Sequence, residues 1–262
     1  MPSLGETLST LVAEGDDFCI EAPEDWAQGR TLFGGMTAAL SYTALTRALG
    51  DLGPLRSAQF TFVGPASGRL NFRSTLLRRG RSSAIVGVDC SNGEGPAARS
   101  TFVFGGARES EIVHDFTPVM HVPTPDECEP FHKTGKPPTG FHANFEFRLA
   151  AGSRLFTQAS KPEFAVWVRL REPDAVDPVA ALLALADALP CAAMTAFSKP
   201  AAISTITWST DFHAPLNIGS GWHLIWSSSE SAADGYSLQD MRIYDAQLKP
   251  MLSSRQVVAV FI

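Results

Sequence analysis

The sequence predicts an α+β fold built from two tandem copies of one unit, each a long apolar helix followed by an antiparallel sheet that wraps it. Two internal features carry that expectation: the order helix then strands occurs twice, and the turn after the first strand of each copy ends in proline. A third feature separates the copies, a stretch rich in proline with little periodicity.

In the first copy, Gly34-Gly35-Met36 opens a run through Leu49 (GGMTAALSYTALTRAL) that is rich in Ala and Leu, with apolar residues at helical spacing. Four strand candidates follow: Leu55 to Val63, Arg69 to Arg78, Ser82 to Ser91 and Ala98 to Gly105. Gly64-Pro65, Arg79-Gly80 and Asn92-Gly93 between them are turn signals. In the second copy, Pro178 to Met194 reads as another apolar helix. It leads into strand candidates Ile203 to Phe212, Trp222 to Ser229, Tyr236 to Tyr244 and Met251 to Phe261. Phe62-Val63-Gly64-Pro65 matches Phe212-His213-Ala214-Pro215, which fixes the offset between the copies. Weaker strand candidates precede each helix, Phe18 to Ala22 in one half and Phe141 to Leu149 with Ala165 to Leu170 in the other.

These elements divide the chain into a first repeat over residues 1–106, a linker over 107–140 and a second repeat over 141–262. Val179 to Ala186 is apolar all round, as a helix buried on every side by a curling sheet should be. Pairing the two sheets into one would also cover edge strands that are otherwise open.

Bulk composition narrows the function classes. At 45% hydrophobic and 18% charged residues with a net charge of -6, the chain is an ordinary globular protein and a poor nucleic-acid binder. Residues 1–19 carry Glu6, Glu14, Asp16 and Asp17 and lack a basic leader, and the longest apolar run, Val179 to Ala186, is too short to span a bilayer. A cytoplasmic location is expected, with no membrane partner. Cys19, Cys90, Cys128 and Cys191 lack paired spacing, so they read as buried or incidental thiols. In the linker, His114, His121 and His132 lie near Asp115, Asp126 and Glu129 without the spacing of a helical ligand set, so no metal is implied. Arg78-Arg79-Gly80-Arg81 reads as a solvated hairpin turn or as a contact for an anionic ligand.

The common catalytic signatures are missing. There is no Gly-x-Ser-x-Gly elbow, no cysteine in a nucleophile context, and no phosphate-binding glycine loop, so nucleotide and nicotinamide chemistry drop out and no cofactor is implied. The anomaly is Asp187, a carboxylate in AALLALADALP with apolar neighbours throughout its turn. Either it ends the helix and faces water, or it is a partly desolvated carboxylate hydrogen-bonded to polar groups of the sheet. Strict alternation along Ile203 to Phe212 puts Ile206, Trp208 and Phe212 on an apolar face and Thr205, Thr207 and Ser209 on a polar one, so Thr205 by itself is an ordinary strand threonine. Gln256 shares its face with Val258 and Val260, and a half-buried amide needs partners.

With those residues in view, the chain resembles the acyl-CoA thioesterase II family, the double-hotdog thioesterases, over most of its length. The family's Phe-Gly-Gly opening of the first helix appears as Phe33-Gly34-Gly35, and its aromatic-to-proline strand end as Phe62-Val63-Gly64-Pro65. Its second-half threonine ahead of Phe-His-x-Pro falls on Thr205, its helix aspartate on Asp187, and its last-strand glutamine on Gln256. The resemblance implies a double-hotdog fold and hydrolysis of acyl-CoA by water acted on jointly by Asp187, Thr205 and Gln256. It also implies an acyl channel lined by Phe60, Phe62 and Trp208, and assembly into dimers or larger oligomers. Gly34 and Gly35 are either a packing pair or backbone donors to a developing oxyanion. The chain departs from the family where Thr207-Trp208 replaces an Asp-His pair, and where Arg56 and Gln59 stand in place of first-half histidines. The Thr207-Trp208 departure keeps open a non-catalytic acyl-binding hotdog, and a hotdog enoyl-CoA hydratase is a further alternative, with Asp211-Phe212-His213 its only candidate Asp and His. In the first repeat, the register counterparts of Thr205 and Gln256 are expected near Leu55 and Arg99, which leaves one site per two repeats.

Overall fold

The computed structural model describes residues 2–132, 140–172, 176–213 and 221–262. In chain order the elements are helix α1 (Leu4–Ser9), strands β1 (Val12–Glu14), β2 (Asp17–Glu21), β3 (Ala27–Gln28) and β4 (Thr31–Leu32), helix α2 (Gly34–Leu49), and strands β5 (Leu55–Phe62), β6 (Arg69–Arg79), β7 (Ser83–Asn92) and β8 (Gly95–Gly105). After these come β9 (Glu129–Pro130), β10 (Phe145–Gly152), β11 (Glu163–Leu170), helix α3 (Pro178–Ala186), β12 (Ala202–Phe212), β13 (His223–Ala233), β14 (Tyr236–Tyr244) and β15 (Pro250–Phe261).

Thirteen of the strands form one continuous sheet in the order β1-β2-β6-β7-β8-β5-β12-β15-β14-β13-β11-β10-β9. Its centre is the antiparallel pair β5 and β12, and the order reads outward identically on both sides: first strand, fourth, third, second, then the strand that precedes the helix. The fold is the double hotdog expected from the sequence. α2 and α3 lie together on one face of the sheet, where a single core takes in Met36, Leu40 and Leu45 of α2, Leu182, Leu183 and Leu185 of α3, and inward residues of both half-sheets such as Phe72, Phe102, Val166 and Ile243. Burying apolar surface on this scale is the dominant favourable contribution to folding.

Local chemistry explains the helix limits. The Asp177 side chain accepts from the backbone N–H of Val179 and Ala180 (2.8 and 3.3 Å), and Pro178 occupies the first turn, so α3 starts where its free N–H groups are capped. α2 ends on Gly50, whose φ of 72° suits glycine. Composition predicts one helix through Met194, but α3 stops at Ala186. Pro190 cannot donate to the Ala186 carbonyl and disfavours helical backbone before it, so the chain turns and resumes as a 3-10 turn over Ala192–Thr195. The strand expected from Phe141 starts at Phe145, after a 3-10 turn over Gly140–Asn144.

Of the proline-rich segment, residues 133–139 lie outside the described residues, as do Ala214 and Pro215 of the second matching turn. The part that is described straps the outer face of the second half-sheet. Trp167 Nε1–H donates to the Pro123 carbonyl (2.8 Å) and the Tyr244 hydroxyl to the Pro118 carbonyl (3.0 Å), while Met120 and Val122 pack over Trp167, Leu224 and Tyr244. All four cysteines are free and buried. No described helix is long and apolar enough to cross a membrane.

Candidate active site

Asp187 is the C-terminal cap of α3, and the end of α3 meets the start of α2. Both alternatives read from the sequence hold in part: Asp187 does end its helix, yet its carboxylate turns to the sheet. Gln256 Nε2–H donates to Asp187 Oδ1 at 2.6 Å, and the Gly35 backbone N–H donates to the same carboxylate. Burial pushes the Asp187 carboxyl up to about 7, against the opposing pull of those two donors. The C-terminal end of α3 carries partial negative charge and works against ionisation, whereas the start of α2 carries partial positive charge and favours it.

Gly34 and Gly35 are there for close approach. A Cβ on Gly34 would stand 2.6 Å from Asp187 Oδ2 and 3.2 Å from the ring of Phe62, and one on Gly35 would stand 2.7 Å from the Ala184 carbonyl and from the Phe33 ring. A side chain at Gly35 would meet backbone, and one at Gly34 would need the Asp187 carboxylate to move aside. Both glycines serve the packing alternative set by the sequence, and the other alternative, donation to an oxyanion, is not open to Gly35. Its N–H is spent on Asp187, which leaves Gly34 and Met36 as first-turn N–H groups without a partner inside the helix, since Thr37 N–H closes the first bond to Phe33.

Gln256 is 4% exposed and sits in a straight row of cross-strand partners: Phe60 on β5, Trp208 on β12, Gln256 on β15, Gln239 on β14 and Ser229 on β13. Phe60 and Trp208 stack with ring centroids 4.9 Å apart, which joins the two repeats face to face. The Trp208 Nε1–H donates to Ser254 Oγ (2.6 Å), whose hydroxyl donates to the Ser209 carbonyl (2.9 Å). Alongside, Phe62 keeps part of its surface accessible and lies against Gly34. Phe33 is fully buried, stacked on Phe141 at 4.0 Å, so it anchors the α2 start from within the core.

Strict alternation misplaces Thr205. The pairing of β12 with β15 slips by one residue between Thr205 and Thr207, a bulge at Ile206, so that Thr205 opposes Val258 while Trp208 opposes Gln256. Directly opposed residues share a face, and Val258 and Gln256 are two apart on β15. Thr205 therefore lies on the inner face with Trp208 and Gln256, and Thr207 points outward and is exposed. Among the described residues, Thr205 makes no hydrogen bond to Asp187 or Gln256.

Sequence reasoning overlooked Gln239. Ser237, Gln239, Met241 and Ile243 alternate on the buried face of β14, so an amide among apolar residues was visible there by the pattern that singled out Gln256. The counterpart of Gln256 also needs correction. The bulge recurs in the first repeat at Arg56, and Ala58, the counterpart of Trp208, opposes Phe102, so Phe102 and not Arg99 takes the place of Gln256. Arg78 to Arg81 form the exposed turn between β6 and β7, beside the start of β5, whereas Asp187 faces its end. Among the described residues no three His, Cys, Asp or Glu side chains gather as a metal site.

A carboxylate and two amides enclosed where the helices of two hotdog units meet mark the class: a double-hotdog protein with a polar cluster on its inner face. Residues 125–260 match the family described as acyl-CoA thioesterase C-terminal domain, and residues 22–105 match the acyl-CoA thioesterase N-terminal domain. The chain belongs to the acyl-CoA thioesterase family. Among curated proteins no sequence matches significantly. Among solved structures, a conserved hot dog fold protein of unknown function from Alicyclobacillus acidocaldarius aligns with a TM-score of 0.89 at 23% identity, over 98% of this chain and 97% of that one. A tesB protein of Mycobacterium avium subs paratuberculosis aligns with a TM-score of 0.79 at 20% identity, over 98% and 99% of the two chains. Acyl-CoA thioesterase II TesB2 from Mycobacterium marinum aligns with a TM-score of 0.75 at 19% identity, over 97% of each. At these identities the likeness is one of fold.

Proposed function

We propose that the protein hydrolyses fatty acyl-CoA to the free acid and CoA, with Asp187, Gln256 and Thr205 acting on the attacking water. The observation that carries this reading is the buried Asp187 carboxylate, held by Gln256 and the start of α2 and poised to exchange a proton near neutral pH. In its ionised form Asp187 accepts a proton from water, and the oxygen adds to the thioester carbonyl. Gln256 Nε2–H holds the carboxylate in place, and the Thr205 hydroxyl, on the same face of the sheet, gives the water a second contact. The first-turn N–H groups of Gly34 and Met36 supply donors to the oxyanion of the tetrahedral intermediate. Collapse of that intermediate expels the CoA thiolate, so no acyl-enzyme is needed. Phe62 beside Gly34, with Phe60 and Trp208 behind it, gives the acyl tail an apolar wall.

The hydratase reading is disfavoured by position. Asp211 is exposed at the far end of β12, and His213 Nε2 is 3.1 Å from Ser253 Oγ, well along the strand from Asp187. The experiment is release of free thiol from a series of acyl-CoA chain lengths by the wild-type protein and by Asp187→Asn. Thiol release that Asp187→Asn abolishes is the expected result. No release from any length, or hydration of an enoyl-CoA without thiol release, overturns the reading.

A further inference from the structure

Resting on that reading, we propose that Gln239 is a positioning residue that fixes which way the Gln256 amide faces, and through it holds Asp187 ready to take a proton. Gln239 is 1% exposed, stands directly opposite Gln256 across β14 and β15, and among the described residues makes no hydrogen bond to Asp187. Three hydrogen bonds run in one direction. The Ala192 backbone N–H donates to Gln239 Oε1 at 2.5 Å, Gln239 Nε2–H donates to Gln256 Oε1 at 3.1 Å, and Gln256 Nε2–H donates to Asp187 Oδ1 at 2.6 Å.

The direction is set at Ala192. Oxygen and nitrogen of a glutamine amide have nearly the same shape, so an isolated Gln256 could face Asp187 with either. A backbone N–H can only donate, so Gln239 must turn its oxygen to Ala192 and its nitrogen to Gln256. Gln256 then has to meet that nitrogen with its own oxygen, which leaves its NH2 for Asp187. A reversed Gln256 would set a carbonyl oxygen against the carboxylate, an arrangement that only a protonated Asp187 satisfies. The 3-10 turn holding Ala192 follows directly on the Pro190 break that ends α3, so the segment carrying Asp187 also carries the anchor of the relay.

Gln239→Met keeps the volume but cannot donate, and Gln239→Asn keeps the amide but is one methylene too short to bridge Ala192 and Gln256. In thiol-release assays both should lower kcat by about tenfold or more with KM within about twofold, because the group lost acts on the base and not on substrate. Both should also move the acid limb of the kcat profile to higher pH, a movement that loss of packing alone does not produce. On the wild-type chain, the side-chain amide protons of Gln239 and Gln256 should exchange slowly with solvent, and the Gln256 pair should shift in NMR spectra as Asp187 titrates. A folded variant with wild-type kcat and acid limb, or a Gln239 amide exchanging at the free rate, overturns the inference. Asp187→Asn assayed alongside separates the two proposals. If it stays active, the water site itself is wrong. If it is dead while both Gln239 variants match wild type, only the positioning role fails.

Discussion

Asp187→Asn should cost activity and gain stability, and the gain should grow with pH. Asp187 sits near pH 7 in the fold against an ordinary value of 3.8. The folded state therefore holds a proton that the unfolded chain has lost across that window. A raised acid contributes no penalty below pH 3.8, and the penalty accumulates as pH rises toward 7, where it levels off. Each pH unit inside the window adds about 1.4 kcal/mol, so the cost of keeping Asp187 amounts to about 2 kcal/mol at pH 5 and about 4 kcal/mol at pH 8. Asparagine removes that cost. Its oxygen still accepts from Gln256, but its NH2 cannot also accept from Gly35, which subtracts about 1 kcal/mol at every pH.

The difference between the two pH values is thus the cleaner quantity, since losses that do not depend on pH cancel. Urea unfolding of wild type and Asp187→Asn at pH 5 and pH 8 should give a stability difference that moves in favour of the variant by about 2 to 3 kcal/mol between them. Thiol release by the same preparations should fall to background. A stability difference that stays constant with pH would refute the raised carboxylate, and a variant with wild-type turnover would refute its role as base.

Three further outcomes follow from the same geometry. With Asp187 as the base, kcat/KM for thiol release should fall about tenfold per pH unit below an acid limb near pH 7, and a profile flat from pH 5 to 8 is the contrary result. Gly34→Ala puts a methyl group 2.6 Å from Asp187 Oδ2, and the carboxylate can swing aside where backbone could not. Its melting temperature should therefore change by only a few degrees while kcat drops by about a hundredfold, the two being read by calorimetry and thiol release. Gln256→Met takes away a donor that pulls the Asp187 carboxyl down, so the acid limb should move to higher pH; movement in the opposite direction counts against the Gln256 to Asp187 bond.

Much of the frame was legible because its signals are local. Turn residues such as Asn92-Gly93 and the period of GGMTAALSYTALTRAL fix elements without reference to the rest of the chain. What escaped depends on contacts or on registers that alternation does not carry. Nothing within β12 marks Ile206 as an extra residue, so counting in twos from Trp208 sends Thr205 to the wrong face. The apolar composition of Pro178 to Met194 outweighed Pro190, although a proline four residues past Ala186 is itself a stop signal. Gln239 was legible in principle, since its strand carries the same polar break in an apolar face as the last strand does at Gln256.

The bulge also bears on why a duplicated frame would carry the proposed site only once. It occurs at Arg56 as well as Ile206, at corresponding places in the two repeats, so the backbone geometry that turns Thr205 inward is available twice. The side chains differ. Where the second repeat sets Thr205, Trp208, Gln256 and Gln239 on the inner face, the first sets Leu55, Ala58, Phe102 and Val86, all buried and none able to hydrogen-bond through its side chain. A carboxylate placed against Phe102 and Val86 would find no amide to meet it and would bear the full cost of burial. The first repeat instead stacks Phe60 on Trp208 across the β5 and β12 seam and sets Phe62 against Gly34 of its own helix. The first repeat therefore brings Phe60, Phe62 and the helix start, and the second Trp208 and the polar row, so the proposed site would be assembled only where the two repeats join.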